Sequence, residues 1–125
     1  MQAPADVEYL VREYLKPLAG VPVSSKMTND KNFLVAFSLG GPEATLVSGR
    51  PRLVFDCYGE REALAIKLAQ RVWGLVKGLD GLFLDGVQFY EVEANLPVNL
   101  PHPDKPTLFR YQFNAAIHVH HAVIA

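Results

Sequence analysis

The sequence holds one cysteine, Cys57, among its 125 residues. That excludes an internal disulfide and a cysteine-rich zinc site, and it makes a reducing compartment the natural setting. Charge of either sign is scarce in excess: 12 Lys and Arg stand against 13 Asp and Glu, for a net −1. A protein that held nucleic acid by neutralising phosphates would need a basic surplus, so that class is disfavoured. No apolar run is long enough to span a bilayer. The stretch from Met1 to Leu10 has no basic n-region and no apolar h-region, so no signal peptide is expected. Internal repeats and a domain linker are lacking too. What is present is a half-hydrophobic composition with 20% charged residues. At this size about two-thirds of the unfolded surface is buried on folding, enough for one core and too little for two. The chain therefore reads as a single α+β domain over 1–125.

Hydrophobic periodicity places the elements. Pro4 and Asp6 open a first helix. Val7, Leu10, Val11, Tyr14, Leu15 and Leu18 recur at steps of three and four on one face. Glu8 and Arg12 pair on the opposite face, and Pro17 and Gly20 end the helix. Val21–Lys26 reads as a short edge strand weakened by Pro22. Phe33–Leu39 is apolar on both faces, which predicts a central strand or one covered by a partner chain. Gly40-Gly41-Pro42 stops it, and the segment 40–51 reads as a long flexible connection or a hairpin arm. Arg52–Tyr58 is a strand. Glu62–Val76 is a helix with Leu64, Ala65, Leu68, Ala69, Val72, Trp73 and Val76 as its apolar face, with Gly78 as the C′ residue. Asp85-Gly86 predicts a turn and Val87–Val92 a partly alternating strand. Prolines 97, 101, 103 and 106 make 95–107 an extended, semi-rigid loop. Leu108–Val123 closes the chain as a half-buried strand. Phe109, Tyr111, Phe113, Ala115, Ile117 and Val119 face one way; Arg110, Gln112, Asn114, Ala116, His118 and His120 face the other. The order predicts one mixed or antiparallel sheet with both helices on one face.

No constellation of residues points to catalysis. His118 and His120 lie about 7 Å apart by the strand rise, a metal-ligand spacing that His102 would join. No carboxylate or thiol at local ligand spacing accompanies them, so surface histidines are the more economical reading. Cys57 sits mid-strand among apolar residues, the setting of a packed thiol rather than a nucleophile. Gly40-Gly41-Pro42 lacks the following lysine and helix of a phosphate loop. Asp56 and Glu60 read as a strand-end carboxylate and a helix first-turn charge, not an acid–base couple. Tyr111 and Phe113 read as core residues rather than base-stacking ones. The expectation is a non-enzymatic protein with no cofactor. Two long loops, 40–51 and 95–107, and a doubly apolar strand are the attributes of a subunit that builds a larger assembly.

The stretch from Leu46 to Gly59 (LVSGRPRLVFDCYG), running into the alanine- and leucine-rich helix Glu62–Val76, resembles the middle of tail terminator proteins of long, non-contractile-tailed bacteriophages. Asp6–Leu10 and Val21-Pro22-Val23 resemble the opening of that family. Pro101-His102-Pro103-Asp104, followed by Phe109-Arg110-Tyr111-Gln112-Phe113, resembles its proline–aspartate loop and closing strand. The resemblance implies a homo-hexameric ring on the head-proximal end of the tail tube. That ring would stop polymerisation, contact the major tail tube protein, present a surface to the head–tail connector, and let DNA pass without specific binding. It implies a virion location at the head–tail junction. A head-closure or connector subunit is the alternative from the same setting; a small ligand-binding or enzyme-accessory domain is one from another class. On the assembly reading, the loops 40–51 and 95–107 reach the neighbour or the tube, and Gly40, Gly41, Arg50, Arg52, Pro101, Asp104 and Arg110 are the candidate subunit or tube interface residues. Arg50 and Arg52 would either meet acidic groups there, since arginine suits such pairing, or simply stay solvated on the surface.

Overall fold

A computed structural model describes residues 1–124. Asp6 caps the first helix, α1 (Val7–Leu15), by accepting a hydrogen bond from the Tyr9 backbone N–H at 3.2 Å. Val7, Leu10, Val11 and Leu15 are buried, while Leu18 lies past the helix end and is exposed. The second helix, α2 (Glu62–Lys77), buries Ala65, Leu68, Ala69, Val72 and Val76 of the predicted face, while Leu64 and Trp73 at its flanks are half-buried. Gly78 ends it in a right-handed conformation (φ −68°), not the left-handed one expected of a C′ glycine. No helix among the described residues is long and apolar enough to cross a membrane.

Among the described residues, eleven strands accompany the helices. In order they are β1 (Gln2–Ala3), β2 (Val23–Ser24), β3 (Phe33–Ser38), β4 (Glu43–Thr45), β5 (Ser48–Gly49), β6 (Arg52–Gly59), β7 (Phe83–Leu84), β8 (Val87–Ala94), β9 (Val98–Asn99), β10 (Phe109–His120) and β11 (Ala122–Val123). The main sheet runs β2-β3-β6-β10, with β2 parallel to β3 and the other neighbours antiparallel. Strand β10 is its spine. One edge pairs with β6 along Phe109–Ala116 and then with β5 at Val119 and His120. The other edge takes β9 at Tyr111 and Gln112, then β8 from Ala115 to Val119. A small ribbon of β1 and β11 stands apart.

Both helices cover one face of this sheet. Leu34 and Ala36 of β3, Leu53, Phe55 and Cys57 of β6, and Phe113, Ala115, Ile117 and Val119 of β10 form one core with them. Phe55 and Phe113 stack at its centre, ring centroids 4.9 Å apart. The partial alternation of β8 has a local cause. Phe89 pairs with Val119 and Val92 with Ile117, so β8 spends one extra residue on that step. Such a bulge turns Phe89 and Val92 toward the same core although they are three apart. Asp85 (φ +46°) and Gly86 (φ +80°) make the tight turn into β8, a conformation that this dipeptide favours.

The doubly apolar β3 lies one place in from the sheet edge rather than at its centre. Its second face is covered by the chain's own proline-rich segment. Phe33, Val35 and Tyr58 form a second cluster with Phe37 and Leu108, and Phe33 stacks on Tyr58 at 4.6 Å. Segment 40–51 is not a free connection either. It folds as the β4–β5 hairpin and continues the sheet beyond β6.

Cys57 is fully buried. Burial first, and the neighbouring Asp56 charge second, push its thiol far above the ordinary range. The native protein is expected to resist an aromatic disulfide reagent that labels the unfolded chain fully. Fast native labelling would show that this part of the core opens.

Candidate assembly surface

The seven residues singled out as interface candidates fall in two groups near the ends of the sheet. Gly40, Gly41 and Arg50 lie at the β4–β5 arm, with Arg52 just inside it. Pro101, Asp104 and Arg110 lie at the proline-rich end. Arg110 and Val119 are nine residues apart on β10, roughly 30 Å by the rise of a strand.

The arm is built by backbone pairing across a glycine corner. Leu39 N–H donates to the Arg52 carbonyl at 2.8 Å, and Arg52 N–H donates to the Gly40 carbonyl at 2.8 Å. Arg50 N–H then donates to the Pro42 carbonyl at 3.0 Å. Gly40 has φ +77°, which favours glycine. At Gly41 the reason is space: a Cβ there would overlap the Arg50 carbonyl oxygen and lie 2.9 Å from Pro51 Cα. The arm root is tied to α1 as well. Glu8 accepts hydrogen bonds from the Ser38 N–H at 2.7 Å and from Arg12 at 2.6 Å. The Arg12 hydrogen bond is the main cause that holds the Glu8 carboxyl below its usual range.

Histidines fasten the arm from the other side. His118 Nε2 lies 2.8 Å from the Ser48 hydroxyl, which is itself 2.7 Å from the Thr45 hydroxyl. His121 Nε2 lies 3.1 Å from a Glu43 carboxylate oxygen, and its backbone N–H donates to the Val47 carbonyl at 2.7 Å. His120 Nδ1 lies 2.8 Å from the His121 carbonyl oxygen. His118 and His120 are thus half-buried and engaged, not the exposed surface pair expected. His102 sits at the opposite end, its ring 6.4 Å from that of Tyr58. Among the described residues no group of three His, Cys, Asp or Glu side chains is placed to hold a metal ion.

The arm carries its apolar residues outward. Leu46 at the tip is 89% exposed, and Val47 and Leu39 are exposed too. Between the arm and residues 2–8 lies an open cleft of about 720 Å³, lined by Gly40, Gly41, Arg50, Asp6 and Leu46 among others.

At the other end Arg110 is committed internally. Its Nε donates to the Leu100 carbonyl at 2.6 Å, and its Nη1 lies 3.8 Å from Asp56 Oδ2. Asp56 Oδ1 accepts from Gln112 at 2.6 Å. Burial pushes the Asp56 carboxyl above its usual range, and Gln112, Arg110 and His102 oppose that shift. This polar pair pins the proline-rich segment onto the sheet. Arg52, by contrast, is exposed, and its guanidinium donates to the Asn114 side chain. Pro101 and Asp104 are exposed, the Asp104 backbone N–H donating to His102 Nδ1 at 3.0 Å.

A second concavity escaped the sequence reading. Ile66, Ala69, Gln70 and Trp73 of α2 and Tyr111 of β10 form a groove of about 380 Å³ with Leu96 and Pro97 as its lip. Trp73 Nε1 donates to the Asn95 carbonyl at 2.8 Å, which fixes the indole beneath that lip. The signal for it was Trp73 at the edge of the α2 apolar face with Ile66 beside it, both left half-buried.

No protein-family profile and no curated protein matches the sequence. A chain of a solved structure, the virion of a native gene transfer agent particle, is similar in fold. Its TM-score is 0.63 at 12% identity, and the likeness covers 92% of this chain and 93% of that one.

Proposed function

We propose that this chain is a structural subunit of a phage-like virion, without catalytic activity. In the finer form, copies join into a homo-hexameric ring on the head-proximal end of a tail tube. The ring stops tube growth, contacts the tube protein on one side and receives the head–tail connector on the other. The observation that carries the reading is the fold likeness, end to end, to a chain of a gene transfer agent virion. The tail terminator resemblance of Leu46–Gly59 and of the closing strand points the same way. Near-zero net charge suits a ring through which DNA passes, because a strongly basic lumen would retain it.

Omission of the protein from assembly tests this. Overlong tubes that fail to join heads, seen by negative-stain electron microscopy, are the expected outcome. Tails of normal length beside filled, unjoined heads would move the protein to the head-closure side of the neck. Normal joined particles would overturn both virion roles and favour a ligand-binding domain.

A further inference from the structure

We infer that residues 101–108 form a strap that opens as a unit while the rest of the fold stays closed, and that ionisation of Asp56 beneath it sets how often it opens. Opening uncovers the face of β3 away from the helices, with Phe33, Val35 and Tyr58. The inference does not depend on the virion role.

Three observations carry it. First, the strap's hydrogen bonds are its own. Lys105 N–H donates to the His102 carbonyl at 3.2 Å, Leu108 N–H to the Lys105 carbonyl at 3.1 Å, and Asp104 N–H to His102 Nδ1 at 3.0 Å. Among the described residues, no hydrogen bond from 101–108 reaches the sheet. The last ties stand at its root, where Leu100 N–H donates to the Arg110 carbonyl at 2.9 Å and Arg110 Nε donates to the Leu100 carbonyl at 2.6 Å. The segment can therefore lift without breaking a strand ladder. Second, what it covers is small and separate. Phe33, Val35 and Tyr58 form a cluster apart from the main core, with Leu108 packed on it and the His102 ring 6.4 Å from that of Tyr58. A region with few buried apolar contacts opens at a lower free energy than the whole fold. Third, the register places an ionisable group in this patch. Asp56 pairs with Val35 on one side and with Gln112 on the other. Arg110 of β10, His102 of the strap and Tyr58 of its own strand are the titratable or charged groups around it, while β3 brings only apolar side chains. Cys57 lies on the other face, in the main core.

The direction of control follows from the burial of Asp56. Burial pushes its carboxyl above the usual range, against the opposing pull of Gln112, Arg110 and His102. Opening returns the carboxyl toward water and leaves Arg110 beside it on the adjacent strand, so the open form has the lower pKa. The closed form binds the proton more tightly. The strap is held most firmly at low pH and loosens as pH climbs through the closed-form value.

The test uses the full chain carrying Val35→Cys, a thiol under the strap, with the native Cys57 on the other face as internal reference. A pyridyl disulfide reagent, which reacts at acid and neutral pH alike, labels the native protein, and rates are set against those of a model thiol peptide. The introduced thiol is expected to react roughly tenfold or more faster than Cys57, because it needs only the local opening. Its protection is expected to fall roughly threefold or more between about pH 4.5 and about pH 7.5. Asp56→Asn in the same background should abolish that pH dependence. Leu108→Ala, which removes the strap's apolar anchor, should speed labelling at every pH and leave Cys57 slow. The unaltered chain guards against a packing change from Val35→Cys: its Tyr58 should be nitrated under native conditions while Cys57 stays unlabelled. Equal rates at the two thiols, or Tyr58 modified only together with Cys57, would mean that this face opens only with the whole fold and would overturn the strap. Labelling indifferent to Leu108→Ala would overturn it too. Protection independent of pH, or a pH dependence that survives Asp56→Asn, would remove Asp56 as its control.

Discussion

Replacing Arg110 with methionine is expected to destabilise the fold by about 3 kcal/mol at neutral pH, because it strands Asp56 as a buried, unpaired charge. The lower end of the range for breaking a buried pair applies, since the ion pair is long at 3.8 Å and Gln112 still donates to Asp56. The pH dependence carries the diagnosis. Burial raises the Asp56 carboxyl above its usual range. A carboxyl whose pKa is raised by folding favours the folded state most at low pH. That contribution fades as pH climbs from the ordinary carboxylate value through the raised native one. Loss of Arg110 raises the native value further. The deficit of Arg110→Met should therefore shrink on acidification and be largest near neutrality. Denaturant unfolding at several pH values measures it. Asp56→Asn in the same chain should recover much of the loss, because the amide oxygen still accepts from Gln112 and no charge is left buried. A deficit of equal size at all pH values, unrelieved by Asp56→Asn, would mean that Arg110 acts through its packing alone.

The second large effect lies at the opposite end. Gly41→Val should cost about 2–4 kcal/mol, through backbone strain and the loss of the arm's root hydrogen bonds. The added Cβ meets the Arg50 carbonyl and Pro51 Cα, both backbone atoms of the link between β5 and β6, so no side-chain rotation relieves it. The paired bonds Arg50 N–H to Pro42 and Arg52 N–H to Gly40 are the ones that must open. The damage is expected to be local. Amide hydrogen exchange should accelerate across 40–51 while the core amides of Phe55 and Phe113 stay protected. Wild-type protection across the arm would show that the strands shift to accommodate a side chain.

Segment 40–51 shows where sequence reading stops. Its Gly40-Gly41-Pro42 start and mixed composition identify an interruption, and a hairpin arm was one of the readings open. That the hairpin is ordered depends on His118, His121 and the backbone of β10, some seventy residues away in sequence. The same holds for Arg110. Its place beside Gln112 and Asn114 on one face of the strand is visible from alternation, and arginine there reads as an exposed interface residue. Its true partners, Asp56 and the Leu100 carbonyl, come from a neighbouring strand and a folded-back loop. The groove at Trp73 is a further case, since a lip made by Leu96 and Pro97 has no signature in either segment alone.

The sequence by itself determined the two helices with the centres of their buried faces, the long closing strand with Phe113, Ala115, Ile117 and Val119 inward (Phe109, expected on the same face, is exposed), the Asp85-Gly86 turn and the α+β class. Those follow from periodicity and capping, which act within a few residues of one another. Only the tertiary structure decided which strands neighbour β10, that the chain's own loop covers the back of β3, that β8 carries a bulge, and that Leu96 and Pro97 form a lip beside Trp73. Each of these is set by contacts between segments distant in sequence. The energies that select them, apolar burial and satisfied backbone hydrogen bonds, exist only once those segments are brought together.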